Sequence, residues 1–433
     1  MTPIPSRPTT LAAWLAYLET LHPKAIAMGL DRVDAVRARL AGVLACPVVT
    51  ATGTNGKGST CALLEAMLRA AGYRTGLYAS PHLVRYNERV RIGGESLADD
   101  VLVTAFNAVE DARGEVPLTY FEYGTLAALW SLARASLDVA ILEVGLGGRL
   151  DAVNAIDADI AVVTSVDLDH MDYLGPTRED IGREKAGIFR RGRPVVCAEA
   201  DPPSSLVAIA HGLDAPLLLI GRDYGFAAGE GQWEYRGPGG RRHALPFPAL
   251  RGTYQLANAA TALAVIDLLR ARLPVSAGAI REGLLTVELA GRFQVLPGRP
   301  VIVLDVAHNP HAARALAATL GAMPYFPRTM AVFGMLADKD IAGVAAALGA
   351  RIDRWLVATL PGPRGAGAET VRSVLLAAGI AAGAIRCFDD VAAALAAARD
   401  EASEADRIVV FGSFLTVAAA LVAVKSGLTA RHG

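Results

Sequence analysis

The chain of 433 residues is poor in cysteine, in lysine and in charge of either sign. Its four cysteines lie far apart and form no CxxC pair, so the sequence predicts neither a disulfide framework nor a metal knuckle and is typical of a reducing compartment. Only 20% of the residues are charged and the formal net charge is −1, which argues against a nucleic-acid-binding protein that depends on a basic face.

Long apolar runs are also missing, although 53% of the residues are hydrophobic. No run approaches the roughly 18 residues that a membrane-spanning helix needs. Residues 1–10 contain three prolines and no apolar core of the kind found in secretion signals. We therefore expect a cytoplasmic protein of two or three domains, with neither a membrane nor a nucleic acid as partner.

Lysine accounts for only five of the 42 basic residues, at positions 24, 57, 185, 339 and 425. Where arginine meets nearly every general need for positive charge, a lysine can be present for its compact charge or its nucleophilic amine. The sequence around each lysine therefore bears on whether that lysine has a chemical role.

Strand and helix patterns alternate along most of the chain, which is typical of parallel α/β sheets. In the first part we predict strands at 47–51, 76–79, 138–144 and 159–166, a helix from about Ser59, and an irregular or β-hairpin insertion at 221–250. In the second part we predict strands at 301–305, 330–335, 355–359, 385–388 and 407–411, alternating with helices at 311–321, 340–349, 369–379, 391–402 and 415–425. Proline and glycine interrupt both patterns at 291–300, so we place a domain boundary between residues 295 and 296.

A glycine-rich turn at 53–58 joins the first strand to the first helix of this series. Such a turn directs backbone N–H groups and the positive end of the helix dipole at one point, which suits phosphate oxygens. Lys57 can then reach terminal phosphates, and Ser59 or Thr60 can hold Mg²⁺. Ala51 and Gly58 depart from the general P-loop pattern, and a tight turn with chance glycines is the alternative. The strand and helix context favours a P-loop-type, mostly parallel sheet domain followed by a smaller Rossmann-like α/β domain.

Three more polar residues follow predicted strands: Ser80, Glu143 and His170. Because ligands bind beyond the carboxyl ends of parallel strands, we expect them to share one edge with the glycine-rich turn and to form a Mg²⁺ site. Ser80 alone could be a turn residue and His170 a structural one, whereas Glu143 in an apolar run would be costly without a partner. Lys185 by itself could lie on a solvated helix face, and residues 145–151 could form either a ligand-facing loop or a plain turn.

Seven ordered motifs together resemble the folylpolyglutamate synthase and dihydrofolate synthase family, which belongs to the ATP-dependent Mur ligase superfamily. The motifs are GTNGKGS at 53–59, SPHLVRYNERV at 80–90, YFEYGT at 120–125, ILEVGLGGRLDAVN at 141–154, DHMDYLG at 169–175, REKAGI at 183–188 and DVAHNPH at 305–311. The resemblance spans both predicted domains. It implies an ATP- and pterin-binding domain at 1–295 and a glutamate-ligase domain at 296–433.

The resemblance implies two Mg²⁺ sites, with ATP as the nucleotide. Its implied ATP-binding residues are Thr54, Asn55, Gly56, Lys57, Gly58, Ser59, Asn258, Arg292, Asp305 and His308, and its implied metal-binding residues are Ser59, Ser80, Glu143, His170 and Lys185. Lys185 matches a lysine that is carbamylated in the superfamily, which would turn a cationic amine into an anionic group. Lys57, Lys185 and His170 would be the catalytic residues.

The substrates implied by the resemblance are dihydropteroate or folate and L-glutamate. The pterin would meet three segments: Ala25, Ile26, Ala27 and Met28; Thr119, Tyr120, Phe121 and Glu122; and Leu150, Asp151 and Ala152. The reaction would form an amide through an acyl phosphate, and preorganised charge rather than a side-chain nucleophile would catalyse it. We predict a monomer with both dihydrofolate synthase and folylpolyglutamate synthase activity.

Two alternatives remain open at this point. A Mur ligase that acts on a cell-wall precursor would use the same chemistry, although YFEYGT and SPHLVRYNERV match the folate branch. A nucleotide-binding switch without ligase turnover would explain the glycine-rich turn, but neither the second domain with DVAHNPH nor Lys185.

Overall fold

The computed structural model describes residues 7–24 and 26–429, with side chains as far as Ser426. The chain divides into two compact units, Met1–Pro248 with Ala257–Val287, and Ala249–Leu256 with Glu288–Gly433. The predicted boundary after residue 295 lies within the second unit, a few residues from Glu288. As a division between two functional domains it stays a prediction.

An eight-stranded sheet forms the centre of the first unit. Its strands are β1 (Val48–Thr52), β2 (Thr75–Tyr78), β3 (Val90–Ile92), β4 (Glu95–Ser96), β5 (Val139–Glu143), β6 (Ile160–Val163), β7 (Val195–Cys197) and β8 (Leu217–Leu219). Their spatial order is β4-β3-β2-β5-β1-β6-β7-β8. Strand β3 pairs antiparallel with both β2 and β4, and the other neighbouring strands pair parallel. Strands β1, β5 and β6 are buried along their whole length, as the nearly continuous apolar runs of β5 and β6 predict.

Among the described residues as far as Gly212, eight α-helices surround this sheet. They are α1 (Leu11–Thr20), α2 (Asp31–Arg37), α3 (Lys57–Ala70), α4 (Asp99–Arg113), α5 (Tyr120–Arg134), α6 (Met171–Leu174), α7 (Arg178–Ala186) and α8 (Ser204–Gly212). Helix α3 is buried on nearly every side, because it follows the central strand β1 into the middle of the unit. Phe106 and Tyr123 pack edge to face, Trp14 packs on both in tilted contacts, and the three rings join α1, α4 and α5 in one core.

The predicted insertion is a three-stranded antiparallel sheet of β9 (Gly225–Ala228), β10 (Trp233–Gly237) and β11 (Gly240–Leu245). Two helices follow it, α9 (Tyr254–Leu269) and α10 (Ala277–Thr286). Asp267 of α9 fixes the sheet, because its buried carboxylate accepts hydrogen bonds from Tyr235 Oη at 2.6 Å and from Arg242 Nη2 at 2.5 Å.

The second unit contains a six-stranded sheet in the order β12-β13-β17-β14-β15-β16, parallel except for β12. Its strands are β12 (Gln294–Leu296), β13 (Val301–Leu304), β14 (Thr329–Phe333), β15 (Arg354–Ala358), β16 (Ile385–Phe388) and β17 (Arg407–Phe411). Its helices are α11 (Pro310–Ala322), α12 (Ile341–Leu348), α13 (Ala368–Ala377), α14 (Val391–Glu401) and α15 (Phe414–Thr429). Phe333, Trp355 and Phe411 pack together in its core.

The α/β fold class is confirmed, and so are the five strand–helix units of the second unit. The helix expected from Ser59 begins two residues earlier, at Lys57, because left-handed Gly56 already turns the chain into the helix. Throughout residues 7–24 and 26–429, no helix is both long and apolar enough to cross a bilayer.

Candidate active site

The order of four neighbouring strands brings the predicted polar residues to one edge of the first sheet. Strands β2, β5, β1 and β6 lie side by side and run parallel. Ser80 follows β2, Glu143 ends β5, the glycine-rich turn follows β1, and His170 lies beyond β6. The expected convergence at the carboxyl ends of these strands is confirmed.

The turn after β1 is tied down by the residues that follow β6. Asn55 N donates to Ser165 Oγ at 2.9 Å, and Thr164 Oγ1 donates to the Asn55 carbonyl at 2.6 Å. Thr54 Oγ1 donates to the Asp167 carbonyl at 3.0 Å. These contacts hold the turn open in front of the first turn of α3, formed by Lys57, Gly58 and Ser59.

Gly56 caps α3 with a φ of +87°, a conformation that favours glycine. A Cβ there would lie 2.8 Å from Asn258 Oδ1, so Asn258 packs directly against the turn. Lys57 Nζ donates to the Gly53 carbonyl at 2.7 Å, which keeps the amine over the turn. The turn thus combines a cation, a helix N-terminus and close-set backbone N–H groups, the arrangement that binds phosphate.

Glu143 is only 4% exposed and has the partner that its burial requires. Ser80 N donates to Glu143 Oε2 at 3.3 Å, which places Ser80 beside the carboxylate. Ser59, in the first turn of α3, is 2% exposed. One carboxylate and two hydroxyls suit a hard cation that takes its remaining ligands from water and phosphate. Among the described residues, no group of three or more acidic, histidine or cysteine side chains is placed to hold a metal ion.

Lys185 lies on α7 and is 2% exposed, so the alternative of a solvated helix face is wrong. Burial and, to a smaller extent, the charge of Lys57 lower the pKa of Lys185 to about 7, although the Asp169 carboxylate opposes the shift. Gly148 lets α7 approach, because a Cβ there would lie 2.8 Å from the Glu184 carbonyl oxygen. The loop after β5 therefore packs against the helix that carries Lys185.

His170 precedes α6 in a left-handed conformation, with φ +51° and ψ +40°. Its side chain is 29% exposed, and Nε2 lies 4.0 Å from Asp169 Oδ1. A positive φ is uncommon for histidine and marks a backbone that its surroundings hold in place. The partly exposed imidazole lies beyond β6, on the side of the sheet where the parallel strands end.

The three segments assigned to the pterin also come together, except Ala25, which lies outside the described residues. Arg32 joins the first two segments, since it bonds both the Ala27 carbonyl and the Glu122 carboxylate. Gly29 N donates to the Leu150 carbonyl at 3.3 Å and so reaches the third segment. The side chains that stay partly exposed there are Ile26, Ala27, Met28, Tyr120, Phe121 and Leu150.

Asp151 and Ala152 are buried, and Asp151 shapes the loop before it. Its carboxylate accepts from Leu146 N at 2.8 Å and from Val153 N at 3.0 Å. Burial raises the pKa of Asp151 to about 6, although these N–H donors oppose the shift. Phe121 lies against Gly145 of the same loop, where a Cβ would meet its ring at 2.5 Å.

In the second unit, the predicted residues Arg292 and His308 lie beside the ring of Phe414, and Asp305 interacts with the charge of Arg292. Arg292 Cζ lies 5.0 Å from the Phe414 ring centroid, and the His308 ring lies 6.0 Å from it. The Asp305 carboxylate accepts from Phe293 N at 2.9 Å and from Ala307 N at 2.8 Å. Burial raises the pKa of Asp305, and the Arg292 charge opposes that rise.

Several residues of the site escaped prediction from sequence. Thr164 and Ser165 anchor the glycine-rich turn, Arg32 joins two pterin segments, and Phe414 supports the cluster of the second unit. Each contacts a partner more than 80 positions away in the sequence, so no local spacing of residues identifies it. A hydroxyl pair directly after a buried strand was the one available signal, at Thr164 and Ser165.

Comparison with known proteins agrees with this geometry. The Mur ligase middle domain matches residues 51–266, and the Mur ligase, glutamate ligase domain matches residues 291–414. The chain is 49% identical over 415 residues to the dihydrofolate synthase/folylpolyglutamate synthase of Escherichia coli, covering 96% of this chain and 95% of that one.

Solved structures agree as well. The structure of E. coli FolC in complex with DHPP and ADP superposes with a TM-score of 0.91 at 48% identity, covering 96% of this chain and 98% of that one. A bifunctional folylpolyglutamate synthase/dihydrofolate synthase with Mn, AMPPNP and L-glutamate bound gives a TM-score of 0.89 at 48% identity, over the same shares of the two chains.

The chain therefore belongs to the Mur ligase family and, within it, to the dihydrofolate synthase/folylpolyglutamate synthases. The comparisons favour folate-type glutamate ligation over both alternatives, the ligase for a cell-wall precursor and the nucleotide switch.

Proposed function

We propose that this protein is an ATP-dependent ligase that joins L-glutamate to dihydropteroate, and to tetrahydrofolate and its glutamates, with release of ADP and phosphate. The observation that carries the proposal is the convergence of the phosphate-binding turn with buried Lys185 and Glu143 at one sheet edge. The loop that follows Glu143 also carries Leu150 and Asp151 of the pterin segments. The site of phosphate transfer and the acceptor carboxylate would then lie close together.

The reaction proceeds in two steps. A carboxylate oxygen of the pterin substrate attacks the γ-phosphorus of ATP, the bond to the β–γ bridging oxygen breaks, and ADP leaves. The glutamate amine then attacks the carbonyl carbon of the acyl phosphate, expels phosphate and loses a proton. Both steps gather negative charge on transferring oxygens, so Lys57 and the N–H groups of the turn serve as preorganised electrostatic catalysts.

Ser59, Ser80, Glu143 and His170 are the residues we assign to Mg²⁺. The burial of Glu143 beside Ser80 N and the incomplete donor set support a cation that shares phosphate oxygens with ATP. When bound, Mg²⁺ neutralises charge on the phosphates. Two such sites, rather than one, are part of the proposal.

Lys185 is proposed to act as a carbamate. Its low pKa leaves a large fraction of the amine neutral at physiological pH, and only the neutral amine adds to CO₂. The amine nitrogen bonds to the carbon of CO₂ and releases a proton, so a buried cation near Lys57 becomes an anion. The repulsion between the two lysines turns into attraction, and the new oxygens can bind the second Mg²⁺.

Nucleotide binding by Asn258, Arg292, Asp305 and His308 completes the proposal. Asn258 packs against the phosphate-binding turn. In the part of the chain that the structure describes, Arg292 Nη1 is buried without a hydrogen-bond partner, which leaves a guanidinium N–H for a ligand oxygen. A monomer and a cytoplasmic location are our further predictions.

Purified protein tests the proposal in an assay with Mg-ATP, L-glutamate and either dihydropteroate or tetrahydrofolate. We expect ADP release that depends on both the pterin and glutamate, with products one glutamate longer. Turnover with only one pterin would limit the activity to one of the two synthases. No glutamate-dependent ADP with either pterin would refute the proposal, and ADP release with a cell-wall precursor instead would favour that ligase.

A further inference from the structure

Arg32, near the start of α2, sits at the meeting point of the pterin segments. Its Nη2 donates to the Ala27 carbonyl at 2.8 Å and to Glu122 Oε1 at 2.7 Å. Its Nε lies 3.1 Å from Glu122 Oε1 and 3.2 Å from Oε2. One guanidinium therefore holds the first segment by its backbone and the second by a carboxylate.

The Glu122 carboxylate has no acceptor capacity left for a ligand. It is 4% exposed, and Oε2 also accepts from Thr119 N at 2.8 Å. Two carboxylate oxygens offer about four lone-pair sites, and four contacts already engage them. Thr119 is similarly committed, because its hydroxyl accepts from Glu122 N at 3.2 Å and caps α5.

The same arrangement extends to the third segment. Gly29 N, two residues beyond the carbonyl that Arg32 holds, donates to the Leu150 carbonyl at 3.3 Å. Displacement of the Ala27 backbone would therefore change the distances among all three segments. The partly exposed Tyr120 and Phe121 lie between Thr119 and Glu122, so the fixed ends of that short segment also set their positions.

We propose that Arg32 and Glu122 are positioning residues for pterin binding: they fix the spacing of the three segments and leave contact with the pterin to neighbouring side chains. This inference rests on the proposed function. It gives Thr119 and Glu122 a structural role in place of the ligand contact that the resemblance implied. It also adds Arg32, which lies outside every motif of that resemblance.

The second unit offers a closely matched control. Arg328 Nη2 donates to Asp406 Oδ2 at 2.7 Å and to the Glu401 carbonyl at 3.1 Å, and its Nε lies 3.2 Å from the same Oδ2. Asp406 is 1% exposed and also accepts from Ser403 N at 2.7 Å. Arg328→Met thus removes an arginine that likewise bonds a buried carboxylate and a backbone carbonyl, far in sequence from the pterin segments.

The experiment measures KM for dihydropteroate, KM for ATP, kcat and thermal unfolding for the wild type and four variants: Arg32→Met, Arg32→Lys, Arg32→Met with Glu122→Gln, and Arg328→Met. We expect Arg32→Met to raise the pterin KM about tenfold or more with little change in the ATP KM, because small misplacements of binding groups are costly. Arg32→Lys should restore the pterin KM only in part, since a lysine amine can reach either the Ala27 carbonyl or the Glu122 carboxylate but not both. The double variant should recover stability, because no buried carboxylate is left unpaired, while its pterin KM stays high.

Three results would overturn the inference. Arg32→Met could raise both KM values equally, the double variant could regain wild-type pterin KM together with stability, or Arg328→Met could raise the pterin KM as much as Arg32→Met. Each would show that the pair supports folding alone. Calorimetric titration of the wild type with dihydropteroate separates this failure from that of the proposed function, because a wild type that neither binds nor converts the pterin refutes both.

Discussion

The phosphate-binding turn and the pterin segments are two binding regions of one unit, built in different ways. The turn is a run of consecutive residues, 53–59, whose shape follows from a strand, two left-handed glycines and a helix N-terminus. The pterin region joins three segments, near residues 27, 121 and 151, through Arg32, Glu122 and one backbone bond to Leu150. A site made from consecutive residues can be read from a pattern, whereas a site made by cross-chain contacts depends on packing.

The largest expected effect is a loss of kcat on substitution in the phosphate-binding turn. Lys57→Ala removes the cation over the turn, and we expect kcat to fall about 10³-fold, because preorganised charge is the main catalytic device here. Dihydropteroate binding, measured by calorimetry, should change little, which would separate the two regions. Lys425→Ala, which removes an exposed lysine of α15, is the control and should keep wild-type activity. A Lys57→Ala enzyme with near-normal kcat would contradict the assignment.

Lys185→Ala should come next, with a loss of about 10²- to 10³-fold in kcat and a smaller change in unfolding temperature. Carbamylation adds a second readout, since wild-type activity should fall in CO₂-depleted buffer and return with bicarbonate. His170→Ala should also reduce turnover more than stability. Full activity of Lys185→Ala would show that catalysis needs no carbamate at this position. Wild-type activity that does not depend on bicarbonate would contradict carbamylation of Lys185.

The smallest expected effect concerns stability on the pterin side. Burial raises the pKa of Asp151 from 3.8 to about 6, so the folded protein retains this proton to higher pH than the unfolded chain. The resulting stabilisation is complete below pH 3.8 and is lost as the pH rises through 6, by up to about 3 kcal/mol. Asp151→Asn should flatten the fall in unfolding free energy between pH 4 and 6.

The wild-type curve, measured under the same conditions, supplies the reference for this titration. An Asp151→Asn protein with the same slope as the wild type would show that Asp151 does not titrate in this range. Such a result would contradict only the role given to Asp151 in the loop that carries the third pterin segment. It would not bear on the residues of the phosphate-binding turn.

Much of the fold was predictable because buried parallel strands produce unbroken apolar runs. Strands β16 and β17 have the predicted bounds, and β13, β14 and β15 agree with prediction within two residues. Strand β12 was missed, since only three residues of the proline- and glycine-rich junction pair antiparallel at the sheet edge. Strands β3 and β4, with three and two residues, are likewise too short to show a sustained apolar pattern.

The burial of Lys185 could not be predicted from the sequence pattern. Its helix, REDIGREKA, is strongly polar, and nothing in its periodicity indicates a buried amine. Burial comes from the loop after β5, where Gly148 allows backbone contact with Glu184. Only the resemblance to a known family pointed to Lys185, and packing from 37 positions away explains it.

One isotope measurement tests the central claim most directly. Dihydropteroate labelled with ¹⁸O in both carboxylate oxygens is converted with Mg-ATP and L-glutamate, and the released phosphate is examined by mass spectrometry. The account predicts one ¹⁸O atom in each phosphate, because the attacking carboxylate oxygen leaves with the phosphoryl group when the amide forms. Amide product formed together with unlabelled phosphate, with the lost ¹⁸O atom in water or in another product, would contradict ligation through an acyl phosphate.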